Sequence, residues 1–157
     1  MKKVFCALVV VCIIAIIVMA IALIFGGRPG DFVPPPFDDA AQPGTPLVPS
    51  GIGYGELDAK EFCFSAAGEL TADGGSVDVW LTNPKKNTVW LKVRILDGNG
   101  NTLGESGLIR PGEYVRSVKL DAVPKKSVAV TLKIMAYEPE TYRSAGAAKL
   151  NTTMIIN

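Results

Sequence analysis

Val89-Trp90-Leu91-Lys92-Val93-Arg94-Ile95-Leu96-Asp97-Gly98-Asn99-Gly100 is the stretch that decides the fold class of this chain. Val89, Leu91, Val93 and Ile95 fall at every second position, the spacing of a β-strand with one buried face. Asp97-Gly98-Asn99-Gly100 then supplies residues that tolerate positive φ, as a tight hairpin requires. Reading outward, the same period recurs on both sides. Phe62 and Phe64 alternate in a first short strand, and Val77, Val79 and Leu81 in a second. After the hairpin, Leu103 to Leu108 reads as a return strand and Tyr114 to Leu120 as the next. Val128, Val130, Leu132, Ile134 and Ala136 make a sixth strand; Leu150, Thr152, Met154 and Ile156 make a seventh. Pro111-Gly112 suits the centre of a type II turn, and the Asn83–Asn87 and Glu138–Thr141 stretches are polar loops. Seven short strands separated by turn signals predict an all-β, antiparallel sandwich over residues 60–157.

The N-terminal part is of a different kind. Met1-Lys2-Lys3 precedes an uncharged apolar run, Val4 to Phe25. As a helix this run is about 33 Å long, enough to cross a hydrocarbon core of about 30 Å. Ala20-Ile21-Ala22 fits a signal-peptidase site, but Leu23-Ile24-Phe25 extends the run past it, so residues 1–25 read as an uncleaved anchor, with a cleaved signal as the alternative. The basic flank keeps the N-terminus cytoplasmic, and the body is expected outside the cell membrane, held to the bilayer by residues 4–25. Cys12, Ala15 and Ala22 fall near one face of this helix and are candidates for helix pairing, although chance spacing is the plainer account, since no two small residues in the span stand four apart. A type IV pilin reading fails, because the glycine and glutamate of the processing site are missing.

Between anchor and body, residues 26–59 hold Pro29, Pro34, Pro35, Pro36, Pro43, Pro46 and Pro49 together with frequent glycine. Such a segment reads as a flexible stalk in which neither helix nor sheet persists.

Composition excludes several chemistries. Of 157 residues none is histidine, which removes Ser-His and Cys-His nucleophile pairs, the commonest general base, and histidine zinc sites. The body has one cysteine, Cys63, so no disulfide forms within it; an inert small residue is its expected role. Asp97, Asn99 and Asn101 mimic the opening of a calcium loop, but Thr102 and Leu108 stand where glycine and glutamate are needed. The net charge of +1 is too mild for a nucleic-acid footprint. The reading is therefore a non-enzyme without catalytic residues, metal or cofactor.

Leu81-Thr82-Asn83, then Val93-Arg94-Ile95-Leu96-Asp97 with Gly100 and Leu103-Gly104, then Leu108 and Pro111-Gly112-Glu113, resembles bacterial extracytoplasmic immunoglobulin-like or fibronectin-type-III-like domains over residues 76–137. The whole chain is similar to small membrane-anchored proteins of unknown function in gut Firmicutes. The resemblance implies a fold and an address, and no activity. In a fibronectin-like topology the third and sixth strands are neighbours. Trp90, Lys92, Arg94, Lys133 and Tyr137 would then share an outer, aromatic and basic face, the candidate binding face. Large aromatics there suggest a protein partner, a cell-wall or other glycan, or the stalk folded back. Cross-strand pairing that merely stabilises the sheet is the plainer account. The function expected is a surface or accessory protein-interaction module of a cell-envelope assembly, with glycan binding as the alternative.

Overall fold

The computed structural model describes residues 32–157. The anchor run 4–25 and the helix-pairing candidates Cys12, Ala15 and Ala22 lie outside the described residues. Pro35 to Asn157 form one compact unit, the body. It contains no helix, and among the described residues no helix is long and apolar enough to cross a membrane.

Ten strands build the body: β1 Gln42–Pro43, β2 Gly55–Asp58, β3 Cys63–Ala66, β4 Leu70–Asp73, β5 Ser76–Asn83, β6 Trp90–Leu96, β7 Thr102–Glu105, β8 Glu113–Lys119, β9 Val128–Tyr137 and β10 Ser144–Ile156. They form one curled sheet in the order β1-β8-β5-β4-β10-β9-β6-β7, with β3 on β5 and β2 on β3. β3 and β4 lie antiparallel along the same edge of β5, pairing at Ser65↔Thr82 and Thr71↔Asp78. The curl brings the sheet ends together. A bridge joins Gly104 to Leu120, and the Asp121 amide donates to the Leu103 carbonyl at 2.7 Å. Gly104 makes this seam possible, because a Cβ there would collide with the Lys119 carbonyl.

The alternation that predicted the strands also fills the core. Val77 and Leu81 of β5, Leu91, Val93 and Ile95 of β6, Val115 and Val118 of β8, Leu132 and Ile134 of β9, and Met154 of β10 are all buried in one cluster. Each such side chain contributes roughly 1.5–3 kcal/mol by leaving water.

The structure differs from the sequence reading in four places. There are ten strands, where seven were expected. The sheet is mixed: β10 runs parallel to β4 at Met154↔Leu70 through Ile156↔Ala72. Regular alternation of Val77, Val79 and Leu81 toward the core would turn Trp80 outward, yet Trp80 is buried. A β-bulge sets Val79 and Trp80 against Arg116 alone, and Trp80 takes φ +49°. A left-handed tryptophan costs about 1–3 kcal/mol; burial of its ring under the Arg116 guanidinium, 5.1 Å from the ring centroid, offsets that.

The fourth difference concerns the segment expected to hold no lasting sheet. Residues 37–58 carry β1, β2 and the Phe37↔Leu108 bridge. Proline is tolerated because β1 is two residues long and lies at the edge of the sheet, where the missing Pro43 N–H breaks no ladder.

Candidate functional site

The β6 and β9 side chains that alternate with the core form an outer face. Strand register sets Trp90 opposite Tyr137, Lys92 opposite Met135 and Arg94 opposite Lys133. All five residues singled out from the sequence therefore do lie on adjacent strands. Their surroundings are less open than alternation suggests.

Lys92 is only 8% exposed. Its Nζ reaches Glu105 Oε1 at 2.7 Å, while Arg94 holds Glu105 Oε2 at 2.9 Å. Glu105 stands on β7 directly across from Arg94. Burial pushes the Glu105 carboxyl up, but the hydrogen bonds and charges of Lys92 and Arg94 outweigh it and hold the group below the usual carboxylate range. Two of the basic residues are thus engaged within the sheet.

Lys133 is in a different situation. Its β10 register partner is Lys149. The four-strand row therefore reads Glu105, Arg94, Lys133, Lys149, with the charge balanced at one end and repulsive at the other. Directly opposed like charges on a sheet are unfavourable. No ion pair of Lys133 or Lys149 is present among the described residues. Lys149 is exposed, its neighbours Ala148 and Leu150 packing against the core.

Trp90 is enclosed by rings. The Phe37 ring meets it edge-on at 4.8 Å, and Tyr142 from the β9–β10 connection meets it at 5.2 Å. Arg110 lays its guanidinium over the Phe37 ring, 3.6 Å from its centroid. Tyr142 holds φ +56°, a conformation that costs a bulky residue about 1–3 kcal/mol and that the Trp90 contact helps to hold. Tyr137 turns its hydroxyl toward Met135 Sδ, 3.7 Å away.

Phe37 belongs to the segment read as stalk. The Leu108 amide donates to the Pro36 carbonyl, the Asp38 amide to the Leu108 carbonyl, and the Gly107 amide to Asp38 Oδ2. The backbone passes so close that a Cβ on Gly107 would lie 2.5 Å from the Asp38 nitrogen. Trp90, on the face where large aromatics suggest a folded-back stalk, is thus one of the contacts, while the residues the segment itself contributes are not marked by that pattern. Phe37, an aromatic directly after three prolines, was the available signal. Glu105, Arg110 and Tyr142 gave none, since they come from turns and strand ends whose approach only the fold decides.

Beside this face lies a buried amide network. Asn83, the strand-closing residue of the resemblance, is fully buried; its Nδ2 donates to the Val89 and Ile109 carbonyls, each at 2.9 Å. Its Oδ1 accepts from Asn87 Nδ2 at 2.7 Å, and Asn87 in turn holds the Cys63 backbone and thiol. Cys63 is buried in a structural role. The Asp97 carboxylate is taken up by hydrogen bonds from the Asn101 side chain and amide and from the Asn99 amide. These bonds, the Asn101 side chain foremost, hold it below the usual carboxylate range. The acidic start of this loop is therefore a hairpin clasp. Among the described residues no group of three metal-ligating side chains gathers.

No family model matches the chain, and no curated protein matches it. Among solved structures, CopC from Methylosinus trichosporium OB3b is similar at 16% identity and a TM-score of 0.37, over 66% of this chain and 95% of that one. A likeness this distant carries no argument about function.

Proposed function

We propose that this protein is a non-catalytic, single-pass membrane protein whose β-sandwich is displayed outside the cell as a protein-interaction module of a bacterial envelope assembly. The anchor reading rests on Met1-Lys2-Lys3 ahead of Val4–Phe25 and on the acidic residues that follow. The strand order supports an immunoglobulin-type sandwich, with β3–β4, β5 and β8 as one layer and β10, β9, β6 and β7 as the other.

The observation that carries the interaction reading is the Lys133–Lys149 pair. Two opposed cations on a regular sheet face lower the stability of the free body, and an acidic surface set against them would relieve the repulsion. The glycan alternative needs an open aromatic platform, and Trp90 already has Phe37 and Tyr142 against its ring. A protein partner with an acidic patch is therefore the better fit.

Photo-crosslinking residues placed at positions 133 and 149 in intact cells test this. Discrete protein adducts from both positions, lost when the neighbouring lysine is changed to glutamate, are expected. Adducts to wall polymer alone, with no protein band, would favour glycan binding and overturn the protein reading.

A further inference from the structure

Leu81 of β5 points into the core, so Thr82 beside it points to the other face of the sheet. Register sets Ser65 of β3 opposite Thr82, and Glu56 of β2 opposite Ser65. Directly opposed residues project from the same side, and three polar side chains therefore stand in one row. Over this row lies a cavity of about 480 Å³, closed off by Tyr54, by Thr45 just past β1, and by Lys85. Pockets that hold a small molecule measure about 300–1,000 Å³.

Ser65 lines this cavity and is only 8% exposed. Its hydroxyl takes part in no hydrogen bond among the described residues, yet none of their unpaired side-chain oxygens or nitrogens is sealed from solvent. The hydroxyl therefore opens into the cavity, an unused donor and acceptor. Beside it, Tyr54 Oη and Thr82 Oγ1 share a hydrogen bond of 2.7 Å in which either can donate, so the pair can present a proton or a lone pair. The wall that carries Tyr54 is fixed in place. Pro46 is buried, Val48, Ile52 and Tyr54 pack against the core, and the Ile52 carbonyl accepts from the Gly68 and Glu69 amides.

Charge selects the occupant. Glu56 is already matched by Lys86 at 2.6 Å. No ion pair of Lys85 is present among the described residues. Its stem crosses the turn at Gly112, where a Cβ would lie 2.8 Å from Lys85 Cγ. The cavity thus combines unused hydroxyls with one uncompensated cation at its rim.

We infer that this cavity binds a small hydroxylated carboxylate, a sugar acid of monosaccharide size. Its hydroxyls exchange hydrogen bonds with Ser65, Thr45 and the Tyr54–Thr82 pair, and its carboxylate meets the Lys85 ammonium. A neutral sugar leaves Lys85 unmatched, and a simple carboxylate leaves the hydroxyls unused. The cavity lies on β2, β3 and β5, whereas Lys133 and Lys149 stand on β9 and β10, so the inference is independent of what that face binds.

Saturation-transfer NMR on the full chain in detergent micelles tests it, with D-glucuronate and D-galacturonate as probes and glucose and acetate as controls. At least one uronate should bind saturably, and about tenfold or more tightly than either control. Lys85→Ala should weaken that uronate about tenfold or more, through loss of a charge-assisted hydrogen bond, and should remove its advantage over glucose. Ser65→Val, which puts methyl groups on the cavity floor, should abolish binding. Thr45→Val, at an exposed position, should weaken it about threefold and serves where Ser65→Val does not fold. Lys133→Glu should leave binding unchanged. Failure of both uronates to bind saturably, binding no tighter than that of acetate, or binding that Lys85→Ala leaves intact or Lys133→Glu removes would each overturn the assignment.

Discussion

Replacing Asn83 with alanine should remove a large share of the stability of the body. The side chain is fully buried and makes three hydrogen bonds. They are not equivalent. The Ile109 carbonyl also accepts from the Leu91 amide at 3.0 Å, and Asn87 Nδ2 also donates to the Cys63 carbonyl, so each keeps a partner. Each of those losses is worth about 0.5–1.5 kcal/mol. The Val89 carbonyl depends on Asn83, and leaving it unpaired inside the body costs about 1–3 kcal/mol. The sum is about 2–6 kcal/mol, against a total of roughly 5–15 kcal/mol for a domain of this size. Asn87→Ala is the control: Asn87 is half-buried, water can replace its bonds, and a loss of about 1 kcal/mol is expected. Urea unfolding of residues 32–157, followed by tryptophan fluorescence, reads both variants. An Asn83→Ala loss below about 1 kcal/mol, or one equal to that of Asn87→Ala, would refute the claim that this amide ties the three segments together.

Lys133→Glu should raise the unfolding free energy by about 0.2–1 kcal/mol, since it replaces a repulsive cross-strand pair by an attractive one, while abolishing the crosslinks expected from position 149; a drop in stability would contradict the charge row. Gly104→Ala should destabilise by about 1–3 kcal/mol by forcing the Lys119 carbonyl off the seam, and amide exchange should rise first at Leu103–Ser106 and Lys119–Ala122. Glu105 has a folded pKa below its unfolded one, so its contribution is present above the unfolded carboxylate range and is lost as pH falls through the folded value. Glu105→Gln should therefore lower stability at neutral pH and shrink the difference between unfolding midpoints at neutral and strongly acidic pH; an unchanged pH profile would rule out its pairing with Lys92 and Arg94.

Much of the body was legible because its strands obey a period of two. β6 and β9 show the pattern along nearly their whole length, and their expected adjacency put five candidate residues on one face. β1, β2 and β4 escaped because each is two to four residues long and none carries two large apolar side chains at alternate positions. β10 was seen from Leu150 onward; its first half, Ser144 to Lys149, holds small residues and a φ +116° glycine, without the large apolar side chains that mark a strand. The proline-rich segment was misjudged for a different reason. Proline content forbids interior strands but not an arm laid along an edge, and what holds Phe37 is a ring pair with Trp90, remote in sequence. Lys92 and Arg94 were correctly placed, yet their partner Glu105 sits across a hairpin whose register shifts between Ile95 and Leu96, beyond the reach of simple counting.

The tether itself is tested most directly by treating intact cells with an external protease and weighing the protein left in washed membranes. The account predicts that untreated membranes hold the full chain beginning at Met1, and that protease removes the β body while a fragment containing Val4–Phe25 stays in the lipid. A mature protein recovered free in solution with its N-terminus near Phe25, or a body resistant until the cells are broken, would contradict it.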